Sequence, residues 1–178
     1  DHIKIKRLWT IDHLSKPGTF RRKSLFNLRL NLIPKEILEN QVVNEDTSSA
    51  IFISRVNAIR RFLVNEEELK PILHKYSIKS IYLEGMSLID QIKLFSTCKL
   101  IISLHGAGLT NMIWMPPGST VIELRRRDDT TNNCYYSMAK SIGHKYFYVL
   151  CENLTQDKST WDCNLNVPII DLELTLEK

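Results

Sequence analysis

The segment LIISLHGAGLTNMIWMPPGSTVIEL, residues 100–124, decides the fold of this chain. Its first five residues form a mostly apolar run of the length of a buried strand, and residues 120–124 form a second one that Glu123 interrupts. Between them the pattern predicts a short helix that ends near Trp114, and the Pro-Pro-Gly at 116–118 predicts a turn into the second strand. A strand, a helix and a strand in this order are the repeating unit of a parallel sheet.

The same alternation extends in both directions from this segment. Apolar runs predict further strands at 50–54, 79–84 and 146–150, with a sixth at 168–172. Helices are predicted between the strands, with their ends marked by Asn65, Ser87, Asn132 or Asn133, and Gly143. The sequence therefore predicts an α/β fold, a Rossmann-like three-layer sandwich with a mostly parallel sheet of five to six strands.

The first 50 residues follow a less regular pattern. Ile3 and Ile5 alternate with lysines, which suggests a short strand, and apolar spacing predicts a helix over 19–32. We therefore expect residues 1–50 to be an N-terminal extension with a helix, and residues 51–178 to be the Rossmann-like domain.

The composition excludes several classes of protein. The 178 residues are 43% apolar and 25% charged, with a net charge of +4, which is typical of a globular domain and not of a disordered chain. No apolar run approaches the roughly 18 residues of a membrane span, so we expect none in this chain. Two basic triplets occur without any nucleic-acid-binding motif, and we expect no nucleic acid as a partner. Because the first residue is Asp1, we expect the chain to be a piece of a longer protein.

The cysteines do not form a metal-binding pattern. The four are Cys98, Cys134, Cys151 and Cys163, and no two have the CxxC spacing of a structural zinc site. Cys151 and Cys163 lie close enough in sequence to pair across a short loop, and spacing alone leaves that question open.

Arginines follow the first predicted strand. Arg55 comes directly after it, and Arg60 and Arg61 follow within a few residues. The planar guanidinium donates several hydrogen bonds to phosphate, so Arg55 and Arg60 are candidates for clamping a diphosphate. The alternative is that they are ordinary surface arginines of an exposed loop.

His105, Gly106, Ala107 and Gly108 follow the strand at 100–104. The glycines let the backbone approach a ligand closely, and a helix start favours phosphate. His105 lies where it can donate to a ligand oxygen or move a proton. The alternative is a tight turn whose histidine is satisfied by backbone groups.

Glu123 interrupts the apolar run of the strand at 120–124. A carboxylate at a strand end commonly accepts the hydroxyls of a ribose. The alternative is a residue that faces solvent or pairs with Arg125.

Several nucleotide and hydrolase motifs are absent from the sequence. It has no GxGxxG after the first strand, no P-loop, no DxD pair and no GxSxG elbow. A bound phosphate would therefore have to be neutralised by arginines and backbone amides, and we expect no metal cofactor.

Four segments resemble glycosyltransferase family 61: SRVNAIRRFLVNEEEL, EGMSLIDQIKLF, IISLHGAGLTNMIWMPPGSTVIEL and CYYSMAKSIGHKYFYVL. They cover roughly residues 50–150 and occur in the family's order. The family includes capsular-polysaccharide transferases of bacteria, xylan transferases of plants and O-linked N-acetylglucosaminyltransferases of the secretory pathway. Polysaccharide or capsule biosynthesis is therefore one expected role, and the compartment would be the cytoplasm in bacteria or the secretory-pathway lumen otherwise.

The resemblance implies one half of a GT-B fold, in an inverting enzyme that uses a nucleotide-sugar donor, most simply a UDP-sugar. The chain would be the C-terminal, donor-binding half, and residues 1–50 would be a remnant of, or a linker from, a missing N-terminal acceptor domain. The acceptor would be a glycan or a glycoprotein.

The resemblance also assigns roles to individual residues. His105 would be the catalytic base, unless the base lies in the missing domain. The donor would be bound by Arg55, Arg60, Gly106, Ala107, Gly108, Asn111 and Glu123, with the arginines on the diphosphate and Glu123 on the ribose.

Two other functions fit the same sequence. The chain would be a nucleotide-sugar-binding module that has no turnover by itself, or an interaction domain on a Rossmann-like scaffold, since fold does not imply function.

Overall fold

The computed structural model describes residues 18–35, 37, 49–59, 61–154 and 163–178. In chain order the elements are α1 (Arg22–Leu32), β1 (Ser49–Ile53), α2 (Glu66–Lys75), β2 (Ile78–Ile81), α3 (Leu88–Ser96), β3 (Cys98–Leu104), a 3-10 helix (Ala107–Trp114), β4 (Thr120–Arg126), α4 (Cys134–Ile142), β5 (Lys145–Asn153), β6 (Leu165–Asn166) and α5 (Ile169–Leu176). The strand predicted near Ile3 and Ile5 lies outside the described residues.

The strands form one sheet in the order β2-β1-β3-β4-β5-β6. The first five strands in this order are parallel, and β6 pairs antiparallel with β5. The prediction of a Rossmann-like, mostly parallel sheet is therefore confirmed.

Apolar side chains alternate between the two faces of the sheet and form two cores. Ile51 and Ile101 pack on the face covered by α1, α3, α4 and the 3-10 helix. Phe52 and Ile102 pack on the opposite face, under α2 and α5. Side chains on both faces are buried because successive residues of a strand point in opposite directions, which gives the three layers that the sequence predicted.

Helix α1 packs on the first of these cores. Leu25 and Ile33 are buried there. The Arg29 guanidinium donates to the carbonyl of Ile113 at 3.0 Å and also to the carbonyl of Met115. These bonds satisfy carbonyl groups at the end of the 3-10 helix, so α1 belongs to the same packed layer.

Two predicted elements differ in the structure. The strand predicted at 168–172 is wrong, because Pro168 precedes helix α5, in which Ile169, Leu172 and Leu176 pack at helical spacing. Strand β2 ends at Ile81, earlier than predicted, because the chain turns at Gly85, which has a φ of +79°.

The predicted helix ends lie where the sequence placed them, but not every side chain acts as a cap. Ser87 accepts from the Asp90 N–H, and Gly143 ends α4 with a φ of +83°. Asn65 lies at the N-cap position of α2, but its side chain does not cap the helix. Its Nδ2 donates to the Val167 carbonyl, and its Oδ1 accepts from the Val167 N–H, both at 2.9 Å. Asn65 therefore ties α2 to the segment before α5.

Cys151 and Cys163 do not form a disulfide, and the side chains of both are buried. Among the described residues no helix is long and apolar enough to cross a membrane.

Buried His144 should make stability depend on pH. Its Nε2–H donates to the Met112 carbonyl at 2.9 Å, and burial lowers the pKa of the imidazole. The unfolded state therefore binds a proton more readily than the folded state once the pH falls below about 6.5. We expect the melting temperature to fall between pH 7.5 and 5.5, and the fall to be smaller in His144→Gln.

The matched control is His74→Gln, because His74 is an exposed residue of α2. Thermal unfolding of the three proteins across this pH range checks the prediction. Equal losses in all three would show that His144 does not contribute.

Candidate functional site

A cavity of about 380 Å³ lies at the carboxyl ends of β1, β2 and β3. Strand β2 lies on one side of β1, and β3 and the later strands lie on the other side. The strand order therefore reverses between β1 and β3. Ligands of open α/β sheets bind at this point. The lining residues include Ser54, Arg55, Glu84, Gln91, Gly106, Ala107, Gly108 and Asn111.

The loop after β1 is held against the start of α2. Buried Ser54 donates its hydroxyl to the Glu66 carboxylate, and the Arg55 N–H reaches the other oxygen of Glu66 at 3.5 Å. The Arg55 Nε donates to the Arg61 carbonyl at 3.0 Å. These bonds fix the base of the Arg55 side chain at the wall of the cavity, where the sequence predicted it.

Arg61 is a residue that the sequence analysis did not choose. It has a φ of +54°, and a Cβ built on Gly106 would lie 3.3 Å from its Nη2. The guanidinium therefore lies directly against the glycine loop. Arg60, the predicted residue, lies outside the described residues, and its role stays a prediction.

The glycine loop packs closely on β1. A Cβ at Gly108 would lie 3.2 Å from Ile53 Cδ1, so a larger residue there would move the loop or the isoleucine. The N–H groups of Ala107 and Gly108 precede the first bond of the 3-10 helix, from the Leu109 N–H to the Gly106 carbonyl. No described residue accepts from them, and such amides at a helix start favour an anion.

Asn111 is buried beside the loop and braces it. Its Nδ2 donates to the Gly108 carbonyl at 3.2 Å and to Gln91 Oε1 at 3.1 Å. Gln91 in turn donates to the Met86 carbonyl at 3.1 Å. Asn111 thus joins the glycine loop to α3, and Gln91 is a second lining residue that the sequence analysis missed.

His105 faces the opposite side of the loop. Its side chain lines a small neighbouring pocket, together with Arg61, Arg126 and Asp129, and not the 380 Å³ cavity. The imidazole is 14% exposed, and its Nδ1 contacts the Glu123 carboxylate, which is 0% exposed. The structure brings His105 and Glu123 together, a pairing that the sequence analysis did not predict.

Glu123 is a buried acceptor with two partners. One oxygen contacts His105, and the other accepts from the Tyr146 hydroxyl. Burial and the charge of Glu123 raise the pKa of Tyr146, which keeps that hydroxyl protonated as a donor. The ribose-binding role of Glu123 stays a prediction, and in this arrangement a ribose hydroxyl would have to displace one of these partners.

The partners of His105 define its tautomer. The Asn132 amide donates to Nε2 at 2.8 Å, so Nε2 carries the lone pair and the Nδ1–H donates to Glu123. The ring also meets Tyr135 edge-on, with centroids 5.0 Å apart. A buried carboxylate behind Nδ1–H stabilises the imidazolium that forms when Nε2 takes a proton. The arrangement suits a general base.

Arg125 holds the loop that carries Asn132. Its guanidinium donates to the Asp129 carbonyl at 2.9 Å and to Asn133 Oδ1 at 3.0 Å. The pairing of Arg125 with Glu123 that the sequence left open is replaced by these bonds. Over the described ranges, no three His, Cys, Asp or Glu side chains come together as metal ligands.

Comparison with known proteins identifies relatives of this chain. The family model described as Glycosyltransferase 61 matches residues 3–122. An EGF domain-specific O-linked N-acetylglucosamine transferase of Drosophila melanogaster is 28% identical over 76% of the chain and 25% of its own length. A protein O-linked-mannose beta-1,4-N-acetylglucosaminyltransferase 2 of Xenopus laevis is 31% identical over 48% of the chain and 15% of its own length.

The chain thus spans a quarter or less of the length of these relatives. Both are named as N-acetylglucosamine transferases, the first specific for EGF domains and the second for protein O-linked mannose, and neither is named for capsular polysaccharide. The expected capsular role therefore has no support from them.

Proposed function

Because the chain belongs to glycosyltransferase family 61, we propose that it binds a nucleotide-sugar and transfers the sugar, with inversion, to a hydroxyl of a glycoprotein. The observation that carries the proposal is the cavity at the reversal point of the sheet, which has in its wall an arginine and loop amides from which no described residue accepts. That combination favours a diphosphate. The names of the relatives support N-acetylglucosamine as the sugar and a protein-linked acceptor.

The diphosphate would lie against the glycine loop. Arg55 from the wall of the 380 Å³ cavity and the N–H groups of Ala107 and Gly108 would donate to its oxygens. Arg61 lies beside Gly106 on the His105 side of the loop and would add positive charge there. These donors stabilise the charge that grows on the leaving diphosphate as the bond to the sugar breaks. No metal ion is needed in this scheme, which remains a proposal. The choice of UDP as the nucleotide rests on the family resemblance.

His105 would act as the base. For this the anomeric carbon would have to lie at the edge of the glycine loop, between the 380 Å³ cavity and the pocket of His105. The acceptor oxygen attacks that carbon, the bond from the carbon to the diphosphate oxygen breaks, and the acceptor proton goes to His105 Nε2. For this the acceptor hydroxyl takes the position of the Asn132 amide, which now donates to Nε2. Glu123 holds the charged imidazole through Nδ1–H.

The second candidate is a nucleotide-sugar-binding module without turnover. It is favoured by the length of the relatives, of which this chain covers a quarter or less, so that an acceptor site can lie outside it. The compartment that we propose is the lumen of the secretory pathway, which the resemblance implies for eukaryotic members.

Nucleotide binding tests the proposal shared by both candidates. UDP at about 100 times its dissociation constant should stabilise the chain by roughly 2.7 kcal/mol against unfolding. The Arg55→Ala variant should lose most of this gain, because a guanidinium at the cavity wall is removed. Thermal unfolding with UDP and with GDP measures the effect and identifies the base.

Arg22→Ala is the matched control, since this exposed arginine lies on α1 and does not line the 380 Å³ cavity. It should respond to nucleotide like the unmodified chain. If neither nucleotide raises the melting temperature of the unmodified chain, the donor-binding proposal is wrong.

A further inference from the structure

We infer that Glu84 binds the ribose of the nucleotide by accepting from its 2′- and 3′-hydroxyls; the inference rests on the proposed function. Glu84 lines the 380 Å³ cavity and follows β2, the strand next to β1. In dinucleotide-binding sheets an acidic side chain near the strand that carries the glycine loop accepts the ribose hydroxyl. Here the glycine loop follows β3, and Glu84 follows β2 on the far side of β1. Here the nucleotide would be a sugar donor, and the chemistry of the contact is the same.

The backbone fixes Glu84 at the mouth of the cavity. The Met86 N–H donates to the Leu83 carbonyl at 3.1 Å, and Gly85 between them has a φ of +79°. A four-residue turn with a positive φ at its third position is a type II turn, and only glycine adopts it readily. The turn therefore holds Glu84 at its second position, at the cavity wall.

The Glu84 carboxylate is available for a ligand. The residue is exposed, and no described residue donates to it or forms an ion pair with it. Both Glu123 oxygens, by contrast, already have partners. A ribose hydroxyl reaches Glu84 without breaking an internal bond.

The separation from the phosphate site also fits. Strand β1 lies between β2 and β3, so β2 and β3 are about 10 Å apart. The glycine loop follows β3 and Glu84 follows β2. A diphosphate on the loop can thus carry its ribose across the end of β1 toward Glu84. Leu83 lines the cavity between Glu84 and the glycine loop, since its Cδ1 would be 3.5 Å from a Cβ on Gly108.

The test compares UDP with 2′-deoxy-UDP by calorimetric titration. Hydrogen bonds to a charged group contribute enough that Glu84→Ala should weaken UDP binding about 10- to 100-fold. Glu84→Ala should weaken the binding of 2′-deoxy-UDP less than that of UDP. The unmodified chain should therefore prefer UDP, and Glu84→Ala should bind the two nucleotides with nearly equal affinity. Glu67→Ala, at an exposed glutamate of α2, is the matched control and should keep the preference.

The failures are distinguishable. If the unmodified chain binds UDP and Glu84→Ala keeps the same preference, the inference about Glu84 is wrong and the proposed function stands. If Glu123→Gln removes the preference and Glu84→Ala does not, the ribose acceptor is Glu123 instead. If the unmodified chain binds neither nucleotide, both the proposed function and this inference are overturned.

Discussion

Replacing His105 with alanine should lower the turnover of sugar transfer about 10²- to 10⁴-fold, the usual contribution of a general base. In the described part of the chain, His105 is the only histidine whose Nε2 accepts a hydrogen bond while its Nδ1–H donates to the Glu123 carboxylate. The variant loses this imidazole. Nucleotide affinity should change little, because the imidazole does not line the 380 Å³ cavity.

The measurement is steady-state transfer from a nucleotide-sugar to an acceptor protein, alongside a nucleotide titration. His74→Gln should retain full turnover, since His74 is exposed on α2 and distant in the fold from the loop. Turnover that survives in His105→Ala with unchanged kcat would assign the base to another residue.

Changing Glu123 should have two separable effects. In Glu123→Ala the Tyr146 hydroxyl and the His105 Nδ1–H lose their acceptor inside the protein. Each buried neutral donor left without an acceptor costs about 1–3 kcal/mol, so two of them cost about 2–6 kcal/mol. We expect a loss of that size in the free energy of unfolding, measured by urea denaturation.

Glu123→Gln keeps the shape and should cost less stability, yet it should lower turnover about as much as His105→Ala, about 10²- to 10⁴-fold. If the glutamine amide faces Nδ1 as a donor, the imidazole must move its proton to Nε2, and Nε2 is then no longer a base. Tyr146→Phe is the companion variant, since it removes one bond to Glu123 and leaves the His105 bond. Full turnover in Glu123→Gln would contradict the role of the carboxylate.

The order of strands and helices could be predicted from the sequence, because buried parallel strands consist of apolar runs. Residues such as asparagine, serine, glycine and proline mark the ends of the helices and turns between them. Which predicted residues share a cavity could also be inferred in part, while their roles stay predictions. Arg55 and the glycine loop do line one cavity, since both follow neighbouring strands. The sixth strand was misassigned because Pro168 and a short apolar run suit the start of a helix as well as a strand.

Contacts between side chains were the part that could not be predicted. Glu123 meets His105 because the register aligns Ser103 with Glu123, and register depends on packing over the whole sheet. Arg60 and Arg61 are chemically equivalent in the sequence. What brings Arg61 over Gly106 is a positive φ, which an arginine adopts only in a specific tertiary context.

Residues 105–108 line two different pockets. Gly106, Ala107 and Gly108 line the 380 Å³ cavity, and the His105 side chain lines the small pocket on the other side. Under the proposed function, a substitution at position 105 would remove the base and leave the nucleotide cavity intact. A relative that keeps the loop but lacks the histidine and its buried carboxylate would, under the proposed function, bind the donor without transferring the sugar.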